Sequence, residues 1–108
     1  TRRPPLSNPL IMILEIADIR ILPGQQASFE GAIAKGIATV LPKAAGFIRA
    51  QVHRCVETPE RYVLQIEWES IEAHNVGFRQ GPLFVEWRGL IGSYFAQPPM
   101  VEHFDLVV

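Results

Sequence analysis

The sequence of 108 residues predicts a single α+β domain with an antiparallel sheet and the element order strand, helix, strand, strand, helix, strand. Residues 47–56 and 61–68 alternate apolar and polar side chains, which is the period of a strand with one buried face. Residues 29–41 and 83–95 instead carry apolar side chains at spacings of three to four, as on the buried stripe of a helix. These two periods, separated by proline and glycine, indicate the fold class.

The first strand is predicted over residues 11–22, where apolar side chains occupy both faces, so that both faces need cover. Pro23-Gly24 ends this strand, and Pro42 and Gly46 mark the end of the helix that follows. The apolar stripe of that helix consists of Phe29, Ile33, Ile37, Val40 and Leu41.

The second and third strands are predicted to form a hairpin through the turn Thr58-Pro59-Glu60. Inward-facing positions are Ile48, Ala50 and Val52 on the second strand and Tyr62, Leu64, Ile66 and Trp68 on the third.

The end of the third strand carries the most informative residues for function. Trp68 points inward, Ser70 can cap the next helix, and Glu72 favours the positive N-terminal end of that helix. His74 then falls about one turn into the helix. An indole and an imidazole are therefore expected to share one cavity wall.

The last third of the chain completes the predicted sheet. Pro82 suits the first turn of a second long helix, and Pro98-Pro99 ends it before a final strand over residues 100–107. This order matches the ferredoxin-like split arrangement, in which both helices cover one sheet face. The second apolar face of the first strand then needs a partner, so we predict a homodimer with sheets packed face to face. Polar side chains would form part of that interface: Arg49, Gln51, His53, Gln65 and Glu67.

Composition excludes several classes of protein. The net charge is −1, from 10 basic and 11 acidic residues, which predicts neither nucleic-acid binding nor attraction to an anionic membrane. The longest apolar run, residues 10–14, is far below the roughly 20 residues of a membrane span. Cys55 is the single cysteine, so no internal disulfide can form, and we predict a cytoplasmic protein. Proline-rich residues 1–10 are predicted to be a flexible extension of a domain over residues 11–108.

Motifs for metals, phosphates and dinucleotides are absent from the sequence. His53, His74 and His103 lie about 20 and about 30 residues apart, which is not the compact spacing of a metal site. The sequence therefore predicts no metal.

Five short motifs resemble those of the antibiotic-biosynthesis monooxygenase family, over residues 12–108. They are Pro23-Gly24-Gln25, Pro59-Glu60-Arg61-Tyr62, Trp68-Glu69-Ser70, Glu72-Ala73-His74 and Phe84 to Trp87. The resemblance implies a dimeric α+β barrel built from ferredoxin-like subunits. It leaves the chemistry open, because this architecture serves oxygenases, haem-degrading proteins, isomerases and members without activity. A haem-degrading member would carry an asparagine and a histidine where Ala17 and Arg88 stand, so no haem is expected.

The resemblance implies a cofactor-independent monooxygenase whose small aromatic, phenolic or quinol-like substrate supplies its own electrons to dioxygen. His74 is then the expected catalytic base or hydrogen-bond donor, and Arg79 or Arg88 would stabilise an anion. His103 is expected either at the substrate or at the dimer contact. The remaining expected substrate-binding residues are aromatic: Tyr62, Trp68, Phe78, Phe84 and Trp87.

Two other functions fit the same residues. An isomerase or lactone-rearranging enzyme could use the same cavity and base without oxygen. A dimeric module could bind an apolar metabolite without converting it. Whatever the function, Trp68 and Trp87 could serve core packing alone, which is the commoner role of large aromatic residues.

Overall fold

The computed structural model describes residues 12–108, so the predicted extension over residues 1–10 lies outside the described part. Strands and α-helices follow the predicted order: β1 (Ile13–Arg20), α1 (Gln26–Thr39), β2 (Phe47–Arg54), β3 (Arg61–Trp68), α2 (Pro82–Ile91) and β4 (Met100–Phe104). Three shorter helical segments complete the described part of the chain: 3₁₀ turns at Leu41–Lys43 and Gly92–Tyr94, and a π-helix at Ala73–Phe78.

The four strands form one sheet in the order β2-β3-β1-β4, and every neighbouring pair is antiparallel. The sequence thus correctly predicts a ferredoxin-like α+β fold. Strand β1 lies in the middle of the sheet, where Glu15 is directly opposite Ile66 on β3 and His103 on β4. This register decides which side chains meet above the sheet.

The core lies between the sheet and the two α-helices. The predicted alternation of β3 is confirmed, since Tyr62, Leu64, Ile66 and Trp68 are each at most 2% exposed. Burying a large apolar side chain stabilises a fold by about 1.5–3 kcal/mol. From α1, the predicted stripe contributes residues packed against these strands, with Phe29 and Ile33 fully buried.

The inner face of β2 differs from the prediction at one residue. A bulge interrupts the pairing between Phe47 and Arg49, so the alternation shifts by one position there. Phe47 consequently packs against the core beside Ala50 and Val52, whereas Ile48 is 38% exposed. The prediction that Ile48 faces inward is wrong, because strict alternation cannot register an extra residue.

Within residues 12–108, no helix covers the other face of the sheet. Polar pairs cross it between β2 and β3: Arg49 Nε lies 2.6 Å from Glu67 Oε2, and Gln51 donates to Gln65 over 3.2 Å. Apolar side chains on β1 and β4 accompany these pairs: half-buried Leu14 and Ile16, and exposed Met100 and Phe104. We call this mixed surface the open sheet face.

Helices α1 and α2 approach closely at Gly36. A Cβ atom there would lie 2.6 Å from Cζ3 of Trp87 and 2.8 Å from its Cε3. Trp87 is 5% exposed, so its ring has little room to move. Gly31, on the same helix, is exposed and has nothing within 4 Å of an added Cβ.

We expect Gly36→Ala to destabilise the protein by about 1–3 kcal/mol, because overpacking displaces the Trp87 ring. Gly31→Ala is the matched control and should stabilise the protein by about 0.5–1 kcal/mol, since alanine is the better helix former. Urea unfolding measures both changes. Equal effects of the two substitutions would contradict close packing at Gly36.

Candidate functional site

A cavity of about 180 Å³ lies between the sheet and the helices that follow β3. Most of its wall is apolar, with side chains contributed by β1, β3, α2 and the segment before β4. Four ionisable side chains also line it: Glu15, His74, Arg79 and Arg88. An apolar cavity with a few convergent polar groups is the usual form of a small-molecule site.

Glu15 is the unexpected member of this group. Its side chain lies on the helix-covered face of β1, and the residue is 4% exposed. Trp68 Nε1 donates a hydrogen bond to Glu15 Oε1 over 2.8 Å, and His74 Nε2 lies 3.2 Å from the same oxygen. A buried carboxylate is costly unless it is paired and hydrogen-bonded, and both partners here come from other elements.

His74 owes its position to the capped helical turn after β3. Ser70 Oγ accepts a hydrogen bond from the backbone N–H of Ala73 over 3.1 Å, which confirms the predicted cap. The backbone N–H of Arg79 donates to the carbonyl of His74, five residues back, over 2.9 Å. This spacing is that of a π-helix, a rare form that is frequent at functional sites.

The imidazole of His74 is held on three sides. Its ring stacks on Trp68, with centroids 5.2 Å apart and planes inclined by 18°. Nδ1 lies 2.8 Å from Nε2 of His103, which β4 places beside Glu15. Together with the Glu15 contact, this makes a continuous chain from Glu15 through His74 to half-buried His103.

Burial sets the protonation of the chain. Desolvation raises the pKa of Glu15 from 4.5 to about 7, although the Trp68 hydrogen bond and the charge of Arg79 act the other way. Desolvation also lowers the pKa of His74 from 6.5 to about 4, with His103 and Arg79 adding to the effect. His74 is thus neutral at pH 7, and the carboxyl of Glu15 changes protonation there.

The structure brings most of the predicted site residues together. Phe78, Phe84, Trp87 and Arg79 line the cavity with His74. The Arg79 guanidinium lies 5.7 Å from the centre of the Phe84 ring, which is within cation–π range. Arg88, the alternative to Arg79, also lines the cavity, and its guanidinium lies 5.9 Å from the same ring. The predicted aromatic wall and both candidate anion-stabilising arginines are therefore at one place.

Three predicted residues lie elsewhere. Trp68 is fully buried behind His74 and supports the site without lining the cavity. His103 contacts His74 instead of the cavity. Tyr62 is not at the site, because its hydroxyl donates to Glu30 over 2.6 Å beside α1. Burial and the Glu30 carboxylate raise the pKa of Tyr62 to about 12.

Glu15 was not among the predicted site residues. The sequence feature that marks Glu15 is an acidic residue within a largely apolar strand. Ala17 and Ile19, which follow it on the same face of the strand, are buried. The alternation along β1 therefore places the Glu15 side chain on the buried face. It does not predict Trp68 and His74 as the partners that stabilise a carboxyl at this position.

Within residues 12–108, no three histidine, cysteine, aspartate or glutamate side chains are grouped as metal ligands. No helix of this described part is long and apolar enough to span a membrane.

The raised pKa of Glu15 and the lowered pKa of His74 have opposite effects on the pH dependence of stability. The folded-state pKa of Glu15 is raised, so its contribution is fully present below pH 4.5 and is lost as the pH rises through about 7. The folded-state pKa of His74 is lowered, so its contribution is present above pH 6.5 and is lost as the pH falls through about 4. From about pH 4.5 to 6.5 the folded pair and the unfolded chain each hold one proton, and the two effects cancel.

We expect single substitutions to separate the contributions of Glu15 and His74 to the free energy of unfolding. In Glu15→Gln, the free energy of unfolding relative to wild type should rise by up to roughly 3 kcal/mol between about pH 4.5 and 7. The reason is that glutamine does not ionise, whereas Glu15 has a higher pKa in the folded than in the unfolded protein. In His74→Gln, relative stability should fall over about pH 4 to 6.5 by a similar amount.

Urea unfolding across this pH range measures the differences. Glu86→Gln, at an exposed position of α2, is the matched control and should parallel wild type. A Glu15→Gln profile parallel to that of wild type would show that Glu15 ionises normally in the folded protein.

Comparison with known proteins shows the family to which this chain belongs. A model of the antibiotic biosynthesis monooxygenase family matches residues 12–90. YczJ, an uncharacterized protein of Bacillus subtilis, is 33% identical over 94 residues, which cover 87% of this chain and 98% of that protein. A crystal structure of a Bordetella bronchiseptica protein provisionally assigned as an antibiotic biosynthesis monooxygenase is 42% identical, with a TM-score of 0.87, over 90% of this chain and 98% of that chain.

A more distant structure shares the fold alone. The monooxygenase from the gene ActVA-Orf6 of Streptomyces coelicolor, in complex with nanaomycin D, has a TM-score of 0.78 at 20% identity, over 95% of this chain and 94% of that one. The family match covers most of the chain, and the similarity to YczJ and to the Bordetella protein extends over nearly its whole length. This protein belongs to the antibiotic biosynthesis monooxygenase family.

Proposed function

We propose that this protein is a cofactor-independent monooxygenase that oxidises a small, electron-rich phenol or quinol. The observation that carries the proposal is the cavity itself, where a buried carboxyl–imidazole pair and two arginines line an otherwise apolar space. Membership of the family supports oxygenation as the reaction.

The proposed reaction needs only the substrate and dioxygen. A base in the cavity takes a proton from the substrate, and the resulting anion transfers an electron to dioxygen. The two radicals join as a carbon-bound peroxide, which takes the proton back from the base. Loss of water from this hydroperoxide leaves a new carbonyl group, so that the C–OH and one ring C–H of the phenol, together with O₂, become two C=O groups and H₂O.

The residues of the cavity have separate tasks in this proposal. Phe78, Phe84 and Trp87 contact the faces and edges of the substrate ring. Arg79 and Arg88 stabilise the anion, because a positive charge next to a low-dielectric wall favours the deprotonated form. His74 acts as base or hydrogen-bond donor at the reacting end.

The size of the cavity favours a single-ring substrate. At about 180 Å³ it is smaller than the roughly 300–1,000 Å³ of sites for drug-sized ligands. It is close to the cavity of about 150 Å³ that holds benzene in an engineered protein. A hydroquinone therefore fits better than an anthrone, which has three fused rings.

An isomerase is the second candidate. The Glu15–His74 pair can accept and return a proton without any oxidant, which is sufficient to move a double bond, for example within a lactone. Oxygen uptake separates this reaction from the first.

We also propose that the protein is a homodimer joined through the open sheet face. Half-buried Leu14 and Ile16 lie at its centre, and a run of exposed apolar residues, 106–108, follows β4 at its edge. A groove lined by Met12, Phe104 and these terminal residues adds to the apolar surface. A second copy of the same face would cover it, with the Arg49–Glu67 pairs at the interface.

We expect the metal-free protein to consume oxygen with single-ring hydroquinones faster than the spontaneous reaction, and to leave anthrones at their spontaneous rate. An oxygen electrode measures both. His74→Ala should lower the rate by about 100-fold or more, because it removes the proposed base or hydrogen-bond donor at the reacting end of the cavity. No uptake by folded protein with any hydroquinone would remove the monooxygenase proposal and favour the isomerase.

We expect sedimentation equilibrium to give twice the mass of one chain. Ile16→Lys should shift the protein to monomers, because it places two ammonium groups in the apolar centre of the interface. Val85→Lys, at a position of α2 that is 72% exposed, is the matched control and should leave the dimer intact. A wild-type protein that is monomeric at all concentrations would contradict the dimer.

A further inference from the structure

We propose that Glu15 is the base that takes the substrate proton, and that His74 and His103 are positioning residues that hold its carboxylate. This proposal rests on the proposed function, because it assigns the first step of that reaction to a residue. It changes the role of His74 from proton acceptor to hydrogen-bond donor.

The first argument is the occupancy of the ring nitrogens. His74 Nε2 lies 3.2 Å from Glu15 Oε1, and its Nδ1 lies 2.8 Å from His103 Nε2. Nδ1 is therefore hydrogen-bonded to His103 and Nε2 faces the Glu15 carboxyl, so neither has a lone pair free for a substrate when His103 donates to Nδ1. The face of the ring is also covered on one side, by Trp68.

The second argument is the asymmetry of the Glu15 carboxyl. Trp68 and His74 both contact Oε1. Among residues 12–108, Oε2 has no hydrogen-bond partner, although Glu15 lines the cavity. A carboxylate has about four lone-pair sites, so Oε2 keeps its full capacity to accept a proton.

The chain of contacts has one arrangement that leaves Glu15 ionised, adds no positive charge and turns an N–H of His74 toward the carboxylate. When His103 donates from Nε2 to Nδ1 of His74, the single proton of His74 lies on Nε2, which is 3.2 Å from Glu15 Oε1. Trp68 donates to the same oxygen. His103 thereby fixes the tautomer of His74, as an orienting partner does for a histidine ligand or base.

Proton transfer from a substrate hydroxyl to Oε2 then gives a phenolate and a neutral carboxylic acid. The negative charge moves from Glu15 to the substrate, where Arg79 and Arg88 lie on the cavity wall. The proton returns from Oε2 to the peroxide later in the reaction, so the carboxyl is regenerated.

The charge environment supports this assignment. The groups that face Glu15 are His74 and Arg79 from the π-helix region, His103 from β4 and Arg88 from α2. Burial outweighs the attraction of Arg79 and raises the pKa of Glu15 to about 7, which is the range in which a general base is most effective at neutral pH. His74, with a pKa lowered to about 4, is a much weaker proton acceptor.

Carbon-13 NMR of protein labelled at the glutamate carboxyl carbons tests the proposal without turnover. The Glu15 signal is identified by its absence in Glu15→Gln. We expect this signal to titrate with a midpoint near 7 and the midpoint to shift in His103→Leu, which cannot donate to His74. His103→Gln keeps an N–H donor and should restore the wild-type midpoint. A midpoint at the ordinary glutamate value of about 4.3 would overturn the proposal.

Hydrogen exchange tests the proton transfer itself, in the absence of oxygen. Removal of a hydroxyl proton from resorcinol makes its ring carbons accept a deuteron from D₂O, and proton NMR follows the loss of the ring signals under argon. We expect wild-type protein and the exposed control Glu86→Gln to accelerate this exchange equally, with a rate that rises with pH through about 7. Glu15→Gln should be about 100-fold slower or more, with partial recovery in Glu15→Asp.

The outcomes separate this inference from the proposed function. Exchange that depends on Glu15 without oxygen uptake would retain the base and exclude the monooxygenase. Oxygen uptake or exchange that is unchanged in Glu15→Gln would retain the reaction and overturn the role of Glu15.

Discussion

The hydrogen bond from the Trp68 indole to the buried Glu15 carboxyl is the constraint on which the rest of the site depends. A carboxyl at this depth destabilises the fold unless it is protonated or hydrogen-bonded. Strand β1 occupies the middle of the sheet, so its partners can come from β3 on one side and β4 on the other. Trp68 and the His74–His103 pair meet this requirement, and in doing so they fix the end of β3, the π-helix and β4 relative to one another.

The π-helix follows from the same requirement. His74 and Phe78 are both buried against Trp68, His74 stacked at a centroid distance of 5.2 Å and Phe78 tilted at 5.5 Å. A wider helical turn keeps these two rings on the core side while the chain advances toward α2. The backbone bond from Arg79 to His74 closes this turn and brings the Arg79 guanidinium to the cavity wall. This one π-helical turn thus positions His74, Phe78 and Arg79 at the site.

Much of the fold could be predicted because its signals are local. The period of β3, the stripe of α1 and the Ser70 cap each depend on residues within a few positions of one another, and each is confirmed. The cavity wall was predictable for a related reason, since Phe78, Phe84 and Trp87 lie on neighbouring helical segments. The bulge in β2 and the place of Tyr62 were not predictable in this way. An inserted residue leaves no trace in composition, and the direction of the Tyr62 hydroxyl depends on Glu30, which lies 32 residues earlier in the chain.

The burial of Glu15 depends on contacts that residues near it in the sequence do not predict. Alternation along β1 assigns the side chain to the buried face, and solvation energy alone would argue against such a placement for a charged group. The conflict is resolved by the register, which sets His103 opposite Glu15 and Trp68 two residues beyond Ile66 on β3. Natural sequences break local rules mainly at functional sites, so a carboxyl that contradicts its apolar strand is itself a signal of function.

The balance of charge in the cavity connects this signal with the proposed chemistry. With Glu15 ionised and His74 neutral, the one negative charge at the inner end of the cavity lies on a carboxyl that the protein has already buried, and the two arginines lie where the wall is formed by helical residues. An apolar, uncharged substrate can enter such a site without stripping water from an ion. Negative charge arises on the substrate only after a proton has left it, and the arginines stabilise that state more than the one before it. The arrangement therefore favours the anion over the neutral substrate, which is the selective stabilisation that catalysis requires.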